Sequence, residues 1–335
     1  MILAGDVGGT KTYLAVFADE SRLRAPLAEE KVVSFDYATA ADMLAAFLQR
    51  HPLPIDSVAL GVPGAAVDGR IKGTNIPWVV DGRELTAALG VRAAYVLNDL
   101  EAIAYGVPLL EAEDLCVLNA GTPQPHAPIA VVAPGTGLGE GYLTWDDGRY
   151  RAHGSEGGHT DFAPQNELQA GLLRYLWRKY EHVSYERACS GRAIPEIYAY
   201  LKESGQGDEP AWLAEQLAHA EDAAPVIINA ALDASVDTPL CKATLDIFCQ
   251  VLAAEAGNMA CKLLPWSGVF IGGGIPPRIL PALQTPRFLQ TYTAKGRMSP
   301  VVARIPLYVI LNTKVGVLGG AHYAFTQQQL AGEQA

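Results

Sequence analysis

The sequence predicts an α/β protein of two lobes, each with a mixed sheet and helices on its faces. Two glycine-rich turns, residues 6–11 and 135–141, each lie between a short apolar run and a strand-like run. Such a turn is expected inside a β-hairpin, where glycine tolerates tight bends. Strand-like and helix-like segments then alternate, which indicates helices packed on a sheet. With 335 residues, half of them hydrophobic, the chain is long enough for two cores.

The first part of the chain predicts one such lobe. Residues 39–51 are rich in Ala and Leu and carry apolar side chains on one stripe, which indicates an amphipathic helix. A loop after the predicted strand at residues 57–61 passes through Gly69, Gly73 and Asn75. Further strands are predicted at residues 30–35, 57–61 and 93–97, and further helices at residues 82–89 and 100–105.

The second part begins in the same way and then becomes helical. Residues 115–145 predict strand, loop, strand and glycine turn, and residues 166–264 are mostly helical. Pro276 is expected just inside a helix, where proline commonly starts one. The tail, residues 327–335, is expected to be loose. The remaining predicted elements are strands at 268–271 and 307–311 and a helix at 315–326.

Composition excludes several classes of function. The net charge of −11 and the isoelectric point of about 5.1 leave no broad basic surface for nucleic acid or an anionic membrane. The chain begins directly with a predicted strand, and its apolar runs are shorter than the roughly 18 residues of a membrane helix. The odd number of cysteines, without C-x-x-C spacing, favours reduced thiols over a zinc cluster or disulfide frame. We therefore expect a soluble, cytoplasmic protein.

The two glycine turns are candidates for phosphate binding, because glycine lets backbone N–H groups converge on an anion. A Walker loop does not fit, since Thr10 separates Gly9 from Lys11. A Rossmann loop would open a helix, whereas the glycines of the second turn recur every second residue, as in a strand. One turn alone would be explained by hairpin geometry. Two of them, with Asp6 in the first and Thr136 in the second, favour a bound polyphosphate.

Two strand-to-helix junctions carry further candidates. Asn98 and Asp99 follow a predicted strand at the edge where α/β sheets bind ligands, although both residue types also cap helices. The two roles are compatible if Asn98 caps the helix and Asp99 faces a cleft. Glycines 272–274 form either a sharp turn or a flat surface for a nucleoside.

Residues 154–162 concentrate carboxylates and a histidine on flexible backbone. Glu156, His159 and Asp161 would suit a polyhydroxylated ligand, which needs several donors and acceptors at fixed positions, and Glu186 would add one more. Solvated loop charges are the simpler interpretation. A metal site is a third, although the helical H-E-x-x-H pattern and supporting cysteines are missing.

Taken together, these motifs resemble the bacterial glucokinase family in type, order and spacing over residues 1 to about 325. Glu-Gly-Gly-His at residues 156–159, followed by Asp-Phe-Ala-Pro at 161–164, is the most specific of them. The resemblance implies the two-lobed ribonuclease-H-like fold of the actin and hexokinase type, with mixed sheets flanked by helices and a cleft between the lobes. The cysteine-rich zinc signature of the related ROK sugar kinases is absent after His159. The other matching motifs lie at residues 5–10, 97–99, 134–139, 186, 272–275 and 316–319.

The resemblance also implies roles for individual residues. Asp99 corresponds to the base that takes the proton of the sugar's 6-hydroxyl, and Asp6 to the carboxylate that positions Mg²⁺, through water. The implied glucose-binding residues are Asn98, Asp99, Glu156, His159 and Glu186. The implied ATP-binding residues are Asp6, Gly8, Gly9, Thr10, Lys11, Gly135, Thr136, Gly137, Gly272, Gly273 and Gly274.

The implied activity is that of a glucokinase, which transfers the γ-phosphate of Mg-ATP to D-glucose and gives glucose 6-phosphate and ADP, the entry step of glycolysis. A homodimer is expected with it. Three alternatives stay open: a kinase for another hexose or another phosphoryl donor, a non-catalytic sugar-sensing regulator on the same fold, and an actin- or chaperone-like ATPase. Regulators of this kind usually carry an added helix-turn-helix and some basic surface.

Two departures from the family pattern bear on the site. Lys11 stands where many members carry Asn, and it could reach the phosphates. Residues 190–193 read Ser-Gly-Arg-Ala instead of Ser-Gly-Pro-Gly, which leaves the strictness of glucose selectivity open. We expect a small domain of residues 1–109 and about 312–330, with the first phosphate turn and Asp99. Residues 110–311 would form the large domain, with the second phosphate turn, the sugar loop and the adenosine loop.

Overall fold

The computed structural model describes residues 1–73 and 76–333 and divides the chain into two compact units. The first unit comprises Met1–Asp114, Gly141–Gly154 and Asn312–Ala335, and the second comprises Leu115–Glu140 and Ser155–Leu311. Asn75, in the predicted loop, lies outside the described residues. The predicted large domain includes residues 141–154, which the structure groups with the first unit.

Strands and helices occur throughout residues 1–73 and 76–333. The strands are β1 (Ile2–Val7), β2 (Lys11–Phe17), β3 (Ala28–Val33), β4 (Ser57–Val62), β5 (Ala66–Val67), β6 (Arg70–Lys72), β7 (Val79–Asp81), β8 (Ala93–Asn98), β9 (Leu115–Asn119), β10 (Ile129–Pro134), β11 (Leu138–Asp146), β12 (Arg149–Ser155), β13 (Gly268–Ile271) and β14 (Leu307–Ile310). The helices are α1 (Ala40–Arg50), α2 (Gly82–Leu89), α3 (Asp99–Gly106), α4 (Glu167–Trp177), α5 (Ala193–Glu203), α6 (Ala211–His219), α7 (Ala223–Leu232), α8 (Pro239–Leu263), α9 (Leu280–Leu283), α10 (Pro286–Thr293), α11 (Ser299–Val302) and α12 (Val315–Glu333).

The first unit has a mixed sheet with helices on both faces. Its strands lie in the order β3-β2-β1-β4-β8, with β1 antiparallel to β2 and parallel to β4, and β4 parallel to β8. Successive side chains of a strand point to opposite faces. On β1, Ile2 accordingly joins a core with Ala321 of α12, whereas Leu3 joins a core with Phe47 of α1.

Local capping fixes where helices α1 and α3 begin. The hydroxyl of Thr39 accepts the N–H of Asp42 at 3.1 Å and starts α1. At α3 the side chain of Asn98 accepts the N–H groups of Leu100 and Glu101, at 2.9 and 3.3 Å. Such caps satisfy donors that the first helical turn leaves unpaired. They place Asp99 as the first residue of α3, at the carboxyl end of β8.

A second mixed sheet has six strands, in the order β12-β11-β10-β13-β14-β9. Strand β10 is parallel to β13, β13 is parallel to β14, and β14 is antiparallel to β9. Within the predicted helical stretch 166–264, the longest helix is α8, most of whose residues are buried in one large core. Both sheets are mixed and packed with helices, so the predicted fold class is confirmed.

One local prediction was confirmed and another was wrong. Pro276 is the first residue of a helix, as predicted, although that helix is a 3₁₀ turn, Pro276–Ile279, and the α-helical segment starts at Leu280. The tail predicted as loose continues α12 to Glu333.

Candidate active site

The first glycine turn is a closed hairpin turn between β1 and β2. The N–H of Gly8 donates to the carbonyl of Lys11 at 3.1 Å, and a Cβ at Gly8 would lie only 2.6 Å from that oxygen. The turn is also held from the side, because the buried Ser34 donates through its hydroxyl to Gly8 at 2.9 Å and through its N–H to Thr10 at 3.0 Å. The position of Gly8 therefore requires glycine, and Thr10 and Lys11 are left exposed.

Asp6 lies at the end of β1, just before this turn. It is half-buried, and a Cβ on Gly316, in the first turn of α12, would come within 3.2 Å of its carboxylate. Burial, together with the negative charge of Asp99, raises the pKa of Asp6 to about 7. The first unit thus brings Asp6 and Asp99 close enough to repel each other.

Asn98 and Asp99 form the junction between β8 and α3. The capping role predicted for Asn98 is confirmed, and its amide nitrogen donates to the carbonyl of Gly64 at 2.8 Å. The carboxylate of Asp99 accepts its neighbour's N–H, that of Leu100, at 2.9 Å. A Cβ on Gly61 of β4 would lie 3.6 Å from the Cα of Asp99, so the adjacent strand packs closely against this junction.

The second glycine turn joins β10 to β11 in the second unit. The N–H of Gly135 donates to Gly137 at 2.8 Å, and the N–H of Gly191 donates to the carbonyl of Gly135 at 2.7 Å. A carboxylate oxygen of Glu186 accepts the N–H of Leu138 at 3.0 Å and would overlap with a Cβ on Gly137. The structure therefore brings a residue predicted for phosphate and a residue predicted for sugar into direct proximity.

Glycines 272–274 run beside the same turn. The N–H of Gly272 donates to Val132 of β10 at 2.9 Å. Gly273 has a φ of +85°, and a Cβ there would lie 2.5 Å from the carbonyl oxygen of Pro134. Only glycine fits so close to the strand that enters the second turn. Gly274 follows as an exposed residue.

The predicted sugar loop is a 3₁₀ turn, Gly157–His159, next to the start of β11. A Cβ on the buried Gly158 would overlap with the carbonyl of Leu138. Glu156 and His159 are exposed, with their side chains 3.8 Å apart, and Asp161 pairs with His182 at 2.8 Å. Leu138 is thus in contact with both the sugar loop and Glu186.

A second layer of polar residues lies behind this loop, and it was not predicted. Glu140 of β11 is 1% exposed, and burial raises its pKa to about 7, with repulsion from Glu255 acting in the same direction. Glu255 of α8 is fully buried and accepts hydrogen bonds from Asn258 at 2.8 Å and Lys262 at 3.2 Å. The alternation of side chains along strand β11 could have indicated this. Leu138 points inward, so Glu140, two residues further on, must do so as well.

Metal clusters and membrane-spanning helices are both absent from residues 1–73 and 76–333. No group of three or more His, Cys, Asp or Glu side chains in these ranges could hold a metal ion. No helix there is both long and apolar enough to cross a membrane. The cysteines of the chain are free thiols: Cys116, Cys189, Cys241, Cys249 and Cys261.

Comparisons with known proteins agree over nearly the full chain. A family model described as Glucokinase matches residues 3–327. The glucokinase of Nostoc punctiforme is 39% identical over 335 residues, which cover 96% of this chain and 98% of that protein. The glucokinase of Trichormus variabilis is 38% identical, with 96% and 98% covered. Among solved structures, a glucokinase from an Antarctic psychrotroph has a TM-score of 0.79 and 28% identity, covering 96% of this chain and 98% of that one.

Proposed function

Because this chain belongs to the glucokinase family, we propose that it transfers the γ-phosphoryl group of ATP to the 6-hydroxyl of D-glucose. The products are glucose 6-phosphate and ADP, and the reaction is the entry step of glycolysis. The observation that supports this most directly is the junction at Leu138. There the second glycine turn, the carboxylate of Glu186 and the loop of Glu156 and His159 come together within one unit.

The two glycine turns are the proposed phosphate sites. The N–H groups of Gly8 and Gly135 are already used inside their turns, so the donors proposed for phosphate are those of Gly9, Thr10 and Thr136. Lys11 is exposed beside the first turn and adds a positive charge. The glycines at 272–274 would offer a flat backbone surface to the adenosine.

A magnesium ion fits the environment of Asp6. The carboxylates of Asp6 and Asp99 repel each other, and Asp6 is partly buried. A cation bound between these negative charges would be favoured, because it would relieve their repulsion. We propose that Asp6 holds Mg²⁺ through water. When bound, the ion neutralises negative charge on the donor's phosphates.

Asp99 is the proposed base. Phosphoryl transfer depends mainly on positioning and charge neutralisation, so the protein must align the acceptor oxygen and receive its proton. Asp99 is held at the start of α3 by the cap of Asn98, with a carboxylate that is half-buried.

Recognition of glucose is proposed for Asn98, Glu156, His159 and Glu186. A site that hydrogen-bonds a hydroxyl rejects analogues lacking it, because its own polar groups are then left unpaired. The four side chains offer acceptors and donors for several hydroxyls at once. The loop after Glu186 is tied to the second glycine turn through Gly191, so its sequence affects the sugar and phosphate sites together.

A panel of hexoses against phosphoryl donors tests this function. The purified protein is assayed with glucose, mannose, fructose and glucosamine, each with ATP, ADP and polyphosphate, with and without Mg²⁺. We expect the highest kcat/KM for glucose with Mg-ATP. A higher value for another hexose or another donor would replace that part of the proposal, and donor hydrolysis that ignores every sugar would refute a sugar kinase.

The cellular compartment and the oligomeric state of the protein are also proposals. The free thiols are typical of a reducing compartment, which supports a cytoplasmic location. A homodimer is proposed from family resemblance. Size-exclusion chromatography with light scattering would test it, and a single species of about 35.7 kDa would contradict it.

A further inference from the structure

Glu140 occupies an unusual position for a charged residue. Its side chain is almost fully buried, and within the described residues its Oε1 atom has no hydrogen-bond partner. A buried polar atom without a partner is costly and uncommon in folded proteins. No role for Glu140 is required by the proposed transfer of phosphate.

The side chain of Glu140 lies directly beneath the sugar loop. Its Oε2 atom would overlap with a Cβ on Gly157, so the carboxyl group is in contact with the backbone of that residue. The backbone is linked as well, since the hydroxyl of Ser155 donates to the carbonyl of Glu140 at 2.9 Å and accepts the N–H of Gly157 at 3.2 Å. The residues on either side of Gly157 and Gly158 are Glu156 and His159, both proposed to bind sugar.

The groups around this carboxyl favour its neutral form. Glu255 on α8 is fully buried and repels it, while Lys262 on the same helix attracts it but is already bonded to Glu255. Cys189 faces it from the segment after Glu186, and burial raises the pKa of that thiol, so it adds no charge. Beside Glu255, the hydroxyl of Tyr185 accepts a hydrogen bond from Asn258, and burial raises the pKa of this hydroxyl, so it adds no charge either.

We propose that Glu140 is a positioning residue for the sugar: its buried, neutral side chain supports the turn that carries Glu156 and His159, and ionisation withdraws this support. An ionised carboxylate at this place would need water or a further cation, and its Oε2 atom lies against the backbone of Gly157. The sugar site would therefore exist in a competent form while Glu140 keeps its proton. This inference rests on the proposed function, because it assumes that the loop binds the sugar substrate.

The consequence is a sugar affinity that depends on pH. The pKa of Glu140 is about 7, so about one tenth of the molecules keep the proton at about pH 8. If only those molecules bind sugar well, the KM for glucose rises about tenfold between about pH 6 and pH 8. The KM for ATP should change little with this group, because Glu140 contacts the sugar loop.

The test compares steady-state kinetics of four proteins across this pH range: wild type, Glu140→Gln, Glu140→Ala and Glu209→Gln. Glutamine imitates the neutral carboxyl group and should keep the low KM for glucose while abolishing the effect of pH. Alanine removes the support and should give a high KM at every pH. Glu209 is a matched control, since its mostly buried carboxylate binds Tyr198 and Lys202 instead of the sugar loop.

The four proteins also distinguish a positioning role from titration of His159 and from a purely structural role. His159 is present in all of them, so its own titration cancels when wild type is compared with Glu140→Gln. A purely structural role would lower thermal stability or kcat without removing the pH dependence. Circular dichroism melting shows which variants fold, and if the alanine variant does not, the glutamine variant alone decides.

Two outcomes would overturn the role of Glu140. One is a KM for glucose in Glu140→Gln that rises with pH as in wild type, and the other is a wild-type KM that does not change with pH. If the wild type phosphorylates a different hexose instead, the proposed function is wrong in its substrate. The same pH comparison on that hexose then still decides whether Glu140 positions the loop.

Discussion

Replacing Glu140 with Gln should change how the stability of the protein depends on pH. The carboxyl group has an ordinary pKa of 4.5 when the chain is unfolded and about 7 when it is buried in the fold. The folded state therefore binds a proton that the unfolded state has already released between these two pH values. By linkage, the stabilising contribution of this group is complete below about pH 4.5 and is lost as pH rises to about 7. The difference corresponds to about 3 kcal/mol in the free energy of unfolding.

Glutamine has the same shape but does not titrate, so this loss should disappear in the variant. Urea unfolding followed by circular dichroism would give the free energies of unfolding of both proteins between about pH 5 and pH 8. We expect the variant to gain stability relative to wild type by about 2.5 kcal/mol over that range. A difference between the two proteins that stays constant with pH would refute the reasoning, because it would show that Glu140 titrates normally in the fold.

Three further variants test the proposed roles. Asp99→Asn should lower kcat by about 10²–10⁴ while glucose still binds, measured by turnover and calorimetry, and near-normal turnover would remove Asp99 as the base. Glu156→Ala should raise the KM for glucose by about tenfold or more and leave that for ATP nearly unchanged, because a charged hydrogen-bond partner of the sugar is lost; equal effects on both would argue against a sugar loop there. Gly137→Ala should raise both KM values, since its Cβ would displace Glu186. Gly154→Ala, which has open space at its Cβ, is the matched control, and equal kinetics for these two would contradict the close packing.

The periodic and local features of the fold were predictable from the sequence. Helix α2 and strand β13 were predicted with the bounds that the structure shows. The spacing of their apolar residues and their flanking glycines are local signals that the sequence displays directly. The capping role of Asn98 was predictable for the same reason, since Asn at a strand-to-helix junction has few other partners.

The extension of α12 could not be predicted, since it depends on residues far away in sequence. Gln328 donates to the hydroxyl of Ser57 at 2.9 Å, and Gln329 donates to Glu20 at 2.8 Å. These hydrogen bonds hold a polar segment in helical form. From the sequence alone, the same glutamines resemble a solvated tail.

The polar layer behind the sugar loop was missed for a related reason. The period of β11 indicates that Glu140 points inward, but nothing local shows that α8 brings Glu255 and Lys262 to the same place. The site residues themselves came from motifs and family resemblance. What the structure adds is the contact between Gly137 and Glu186, which are 49 positions apart in the chain.

The measurement that tests the central proposal most directly is a product analysis with D-glucose and Mg-ATP. The reaction is followed by ³¹P NMR, which identifies the oxygen that receives the phosphate, and ADP is counted in the same sample. We predict one glucose 6-phosphate for each ADP, and very little ADP when glucose is left out. Formation of ADP without any sugar phosphate, or at the same rate without glucose, would contradict the assignment.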